Sequence, residues 1–157
     1  MDTHVTDALH RLCRGTASWD RELLASALTA DAELDPRRSA AAWSAHGPRL
    51  IGRDTIADIL LGIVRGRVDT THAITESSVT FDGGRARLRA LVDIRHRLIA
   101  DHSVEAHLVY RCIAEVVPAD TRWALRRSEF ETVHHSGDPT EIYCRAPVIR
   151  PRRPRTP

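Results

Sequence analysis

Residues 70–99, TTHAITESSVTFDGGRARLRALVDIRHRLI, decide the fold. Two runs of strand-like residues flank Asp82-Gly83-Gly84. A tight hairpin turn needs positive φ, which glycine adopts without the clash a Cβ would bring, so the stretch reads as a β-hairpin. The hairpin carries a histidine near each outer end, His72 and His96. Downstream, SVEAHLVYRCIAEVV (103–117) and RWALRRSEFETVHH (122–135) read as two more long strands, separated by the turn PADT at 118–121.

Upstream the period is helical. In DTHVTDALHRLCRG (2–15), Val5, Leu9 and Leu12 fall on one face and Gly15 is a stop signal. SWDRELLASALTADAEL (18–34) places Trp19, Leu23, Leu24, Ala27 and Leu28 together, with Ser18 as N-cap of a second, short helix. Pro36, Gly47 and Pro48 make 33–52 a loop-rich connection with at most two very short strands. TIADILLGIVRGRV (55–68) is the third helix, on Ile56, Ile59, Leu60 and Ile63, with its later turns weakened by Gly62 and Gly66. Three helices followed by long antiparallel strands is an α+β pattern. The expected architecture is a cone-shaped, curved antiparallel sheet wrapped around the three N-terminal helices, with a cavity at its open end.

A length of 157 residues suits one domain, expected over 1–140, and a composition 42% hydrophobic and 28% charged is that of a globular chain. No apolar run approaches the roughly 18 residues of a membrane span. The opening MDTHVTDALHRL lacks the basic-then-apolar layout of a secretory signal, so the expectation is a cytoplasmic protein without membrane partners. Cys13, Cys112 and Cys144 are odd in number and without C-x-x-C spacing, which speaks for incidental thiols. All 23 basic residues are arginine, and lysine, asparagine and glutamine are missing. Several arginines alternate with prolines in CRAPVIRPRRPRTP, so 141–157 is expected to be a flexible tail. With aromatics at 4% and a net charge of +2, nothing accompanies that tail to make a nucleic-acid surface.

The order of elements, carried by RLCRGTASWDRELLASALTADAELD (11–35), LIGRDTIADIL (50–60), THAITESSVTFDGGRARLRALVDIRH (71–96) and RWALRRSEFETVHHSGDP (122–139), resembles the SnoaL-like branch of the nuclear-transport-factor-2 superfamily. Within it the histidines are similar to those of scytalone-dehydratase-like proteins. The resemblance implies His72 and His96 as catalytic acid and base, without deciding which is which. His107 matches an asparagine of that pattern and Glu105 a serine two residues earlier. Two residues apart on a strand, Glu105 and His107 share a face, and they are expected to join the imidazoles as orienting or polarising groups. Two matched positions depart from the pattern. The helix aspartate falls on Gly15 or Ala17, and a tyrosine after AELD is replaced by Pro36.

Ser128, Phe130 and Thr132 on the last strand, with Asp35, Trp43 and Ile94, are the expected substrate contacts. His134 and His135 are adjacent on a strand and point apart, so no metal site is expected, and the glycines at 83–84 join two strands and make no nucleotide loop. The implied function is a cofactor-independent dehydratase, cyclase or isomerase of secondary, polyketide-like metabolism such as antibiotic biosynthesis. It would act on a small apolar or aromatic substrate as a homodimer. The alternative is a non-catalytic ligand-binding or assembly module of the same fold, similar to a dioxygenase small subunit.

Overall fold

A computed structural model describes residues 2–143 and 150–151. The chain opens with helix α1 (Asp2–Ala17), on which Val5, Ala8, Leu9 and Leu12 are buried. Gly15 does not end this helix. It lies where α2 presses against α1, and a Cβ there would meet the Leu24 nitrogen at 2.4 Å, so the glycine serves close packing. Helix α2 (Arg21–Ser26) is capped by Asp20, whose carboxylate accepts from the Leu23 amide at 3.0 Å, where Ser18 was expected as N-cap. Buried Arg11 ties these parts together through Asp7 at 2.7 Å and through the carbonyls of Ser26 and Trp123.

Leu28, expected on the second helix, begins strand β1 (Leu28–Asp35). The loop-rich connection holds a one-turn helix α3 (Arg37–Ala41) and two short strands, β2 (Ala45–His46) and β3 (Leu50–Ile51). Helix α4 (Arg53–Val64) buries Ile56, Ala57, Leu61, Ile63 and Val64. The four long strands follow: β4 (Val68–Asp82), β5 (Arg85–Leu98), β6 (Glu105–Ala119) and β7 (Arg122–Gly137). Gly83, at φ +60°, makes the β4–β5 turn, and Asp82 pairs with Arg85 across it. A short helix α5 (Pro139–Tyr143) and strand β8 (Arg150–Pro151), paired with β2, come last.

The main sheet is six-stranded and curved, in the order β3-β1-β7-β6-β5-β4. It is antiparallel except where β1 runs parallel to β7. Helix α1 packs against β4 and β7, and α4 against β1. The core between them is closed by Leu9, Leu24, Ile56, Leu88, Leu108 and Leu125, all essentially without solvent exposure. The architecture is therefore the expected α+β one. Most of the tail expected from residue 141 lies outside the described residues, as does Cys144. Its first three residues instead complete α5, with Ile142 and Tyr143 buried.

Candidate active site

Side chains alternate between the two faces of a strand, and burial shows which set looks toward the helices. On β5 and β6 it is the even one: Val92, Ile94 and His96, and Ala106, Leu108 and Tyr110, are all buried. On β4 the same face carries Val68, Thr70 and His72 up to a bulge between Ile74 and Glu76. In register, Thr70 lies opposite His96, and His72 opposite Ile94. His72 and His96 are thus diagonal neighbours on one wall, with ring centroids 6.4 Å apart and edge to face.

This wall keeps its titratable groups uncharged. Desolvation by burial lowers the His72 pKa to about 4. For His96, burial, reinforced by His72 and then by Arg67, lowers it to about 3. Part of the His72 side chain reaches solvent, but its Nδ1 does not, and the Nδ1 atoms of both histidines are buried without a hydrogen-bond partner among the described residues. Thr70 Oγ1 and Trp43 Nε1 are likewise buried and unpaired.

Two residues that the sequence reading passed over complete the wall. Tyr143 of α5 places its hydroxyl 2.5 Å from His96 Nε2 and 3.3 Å from the Tyr110 hydroxyl. Trp43 stacks on Tyr143 at 5.1 Å and 17°. Burial raises the pKa of Tyr110 to about 12 and pushes that of Tyr143 well above the ordinary phenol value. Tyr110 was legible from the alternation Ala106, Leu108, Tyr110, Cys112 on its strand. Tyr143, just ahead of an arginine–proline run, had only the apolar pair Ile142-Tyr143 to mark it.

Glu105 and His107, expected to converge with the imidazoles, occupy odd positions of β6 and stand on the opposite face. Glu105 is exposed and pairs with Arg97 at 3.0 Å. His107 Nε2 lies 2.9 Å from the Asp93 carboxylate, and its ring is 5.5 Å from that of His134. The reason is the parity of the strand. Placing Glu105 and His107 inward would have turned Leu108, Tyr110 and Cys112 out to water. Asp35 is also on the outer face. Arg37 grips its carboxylate through Nε at 2.9 Å and Nη2 at 2.7 Å, which holds its pKa below the usual range.

The other expected contacts face inward. Ile94 is next to His72 in the ladder, and Trp43 is in the tyrosine stack. Phe130 meets Tyr110 edge-on at 6.2 Å. Ser128 and Thr132 donate to the carbonyls of Glu33 at 3.4 Å and Ser39 at 2.9 Å, so their hydroxyls serve the scaffold. The Cys13 thiol is pushed up to about 12 by burial, and that of Cys112 upward also, which leaves neither as a nucleophile.

Two open depressions also mark the surface. One of about 680 Å³ is lined mainly by outer-face side chains such as Thr71, Arg95, Arg97, Glu105 and His107, and it reaches Thr70 and His96. The other, about 560 Å³, holds Asp35, Arg49, Arg85 and Glu129. Neither lining includes His72, Tyr110 or Tyr143, so the histidine wall is defined by its own contacts and not by these grooves.

Among solved structures, a proposed scytalone dehydratase from Novosphingobium aromaticivorans is 20% identical, with a TM-score of 0.72 over 86% of this chain and 85% of that one. The hexachlorocyclohexane dehydrochlorinase LinA-type3 from Novosphingobium barchaimii is 15% identical, with a TM-score of 0.71 over 87% and 88%. A ketosteroid isomerase-like protein from Erwinia carotovora atroseptica is 19% identical, with a TM-score of 0.62 over 84% and 95%. At such identities the likeness establishes the fold. A comparison with curated proteins finds no match. The SnoaL-like domain family matches residues 2–129, which span helices α1 to α4, the hairpin and β6, and stop short of α5. The chain belongs to the SnoaL-like family.

Proposed function

We propose that the protein is a cofactor-independent enzyme of small-molecule, polyketide-like metabolism, performing dehydration, cyclisation or isomerisation by acid–base chemistry at His72 and His96. One observation carries the reading: two uncharged imidazoles lie edge to face on the helix-facing side of the sheet, each with a buried Nδ1 that finds no partner among the described residues. Neutral imidazole can accept a proton at one nitrogen and donate at the other, as removal of a proton next to a carbonyl and polarisation of its oxygen require. Trp43, Ile94, Leu108 and Phe130 make the surroundings of the wall apolar and aromatic, which suits a ring-containing substrate. Elimination and proton-shift chemistry in the names of the similar structures, dehydrochlorinase and ketosteroid isomerase-like, is in keeping with this class.

No carboxylate pairs with either imidazole among the described contacts: by the resemblance the dehydratase aspartate falls on Gly15 or Ala17, neither of which ionises, and Glu105 faces away. A base this weak suits a proton already acidified by a neighbouring carbonyl. The test is turnover of a panel of β-hydroxyketones and β,γ-unsaturated ketones by the wild type, His72→Ala and His96→Ala. Each replacement is expected to lower the rate by roughly 10²- to 10⁴-fold with the fold intact. Unchanged rates in both variants would remove the histidines from the mechanism.

The missing carboxylate also favours a second reading, a ligand-binding module that performs no chemistry. It predicts calorimetric binding of the same ketones without product. Homodimerisation belongs to the proposal too, and light scattering decides it.

A further inference from the structure

Tyr143 is held in place from several sides. Arg67 donates to the Ile63 and Glu141 carbonyls, both at 3.2 Å, and so joins the end of α4 to α5. The Asp138 amide donates to the Glu105 carbonyl at 2.7 Å, and the Asp138 carboxylate accepts from the Glu141 amide at 3.2 Å. Gly137, at φ +76°, allows this turn, since a Cβ would sit 2.3 Å from the Glu105 carbonyl oxygen. With Trp43 stacked on the ring, the phenol oxygen is fixed against His96 Nε2.

The contact admits two proton arrangements. In one, the phenol donates to the Nε2 lone pair. In the other, an Nε2–H donates to the phenol oxygen. A phenol is the stronger acid and an imidazole nitrogen the stronger base, so O–H···N is the stronger of the two bonds across this contact. Tyr143 then has its oxygen free to accept from Tyr110, 3.3 Å away, and both phenol protons have a place. The single proton of neutral His96 is left on Nδ1.

We propose that Tyr143 is a positioning residue that fixes His96 as its Nδ1–H tautomer, making His96 the donor to a carbonyl or hydroxyl oxygen of the substrate and leaving His72 as the base. The use of the tautomer rests on the acid–base reading above, while the tautomer itself rests on the Tyr143 contact and the relative acidities of phenol and imidazole. Among the described residues the buried Nδ1–H has no acceptor, an unfavourable state that a ligand oxygen relieves. Donation from Tyr143 into Nε2 also polarises the ring and strengthens the opposite N–H as a donor.

The experiment is a long-range ¹H–¹⁵N ring spectrum of the uniformly labelled full chain at neutral pH, with the His96 signals assigned by their loss in His96→Gln. The wild type is expected to show His96 with its proton on Nδ1. Tyr143→Phe keeps the ring and removes the hydroxyl, and is expected to move the tautomer ratio about tenfold toward Nε2–H. Tyr110→Phe should leave the tautomer unchanged, because Tyr143 still donates. A wild-type His96 protonated on Nε2 overturns the inference without any variant, as does an unshifted ratio in folded Tyr143→Phe. A protein inactive on every ketone but carrying Nδ1–H would sink the enzymatic reading and leave the tautomer assignment standing.

Discussion

His96 and His107 stand on neighbouring strands, one ladder step apart: His96 pairs with Ala106, and His107 with Arg95. Both are imidazoles with one close oxygen partner, yet their surroundings differ completely. His96 is buried, hydrogen-bonded to a phenol and held uncharged by desolvation. His107 is a quarter exposed and bound to a carboxylate on a face covered with arginine–acid pairs. The pair that looks more like catalytic machinery on paper, histidine with aspartate, lies outside the core. The inner pair has no charge at all. Proximity of a titratable partner thus says little about a site until the face of the sheet is known, because water screens one side and is absent from the other.

The largest effect that would test this contrast is on stability. Leu108 on the inner face of β6 is fully buried, so Leu108→Ala should lower the unfolding free energy by about 2–5 kcal/mol. Its neighbour Val109, half-buried on the outer face, should lose no more than about 1 kcal/mol when replaced by Ala. Equal losses in urea melts would mean the faces are not distinct.

A smaller effect follows pH. Because burial lowers the His72 and His96 pKa values to about 4 and about 3, the unfolded chain takes up protons below pH 6.5 that the native chain does not. Stability should therefore be flat above that pH and fall as it drops from 6.5 toward 4, by at most about 1.4 kcal/mol per unit for each histidine. Asp35 contributes in a separate, lower window: its native pKa is depressed by Arg37, so that stability is present above pH 3.8 and lost as the acid form takes over. Denaturant midpoints from pH 7.5 to 4.5 should fall less for His72→Gln than for the wild type. A drop of equal size in both would show that His72 is not held neutral by burial.

The smallest change is expected on the outer face. Arg97→Ala or Glu105→Ala breaks an ion pair whose side chains are about half exposed, and should shift stability by no more than about 0.5 kcal/mol. A loss above 2 kcal/mol would show that this face is covered in solution and that the contrast between faces is false.

Much of the frame was readable from residues. Asp82-Gly83-Gly84 announced the hairpin, and its glycine does take positive φ. His72 and His96 were singled out by the resemblance to scytalone-dehydratase-like proteins, and both stand on the helix-facing side of their strands. The outward face of Glu105 and His107 was legible too, since the odd positions of β6 carry its charges and the even ones Ala106, Leu108, Tyr110, Cys112 and Ala114. Gly15 misled for a different reason: a glycine that stops a helix and one that admits a neighbouring helix look alike until Leu24 is placed.

The sequence by itself determined the hairpin, the four long strands and the helical start, because turn chemistry and hydrophobic period act over a few neighbouring residues. Only the tertiary structure decided that the histidine on β5 meets a tyrosine 47 positions later and that its carboxylate-bearing neighbours look the other way. Contacts of that kind depend on how a curved sheet and a terminal helix close on each other, and no local pattern encodes the distance between them.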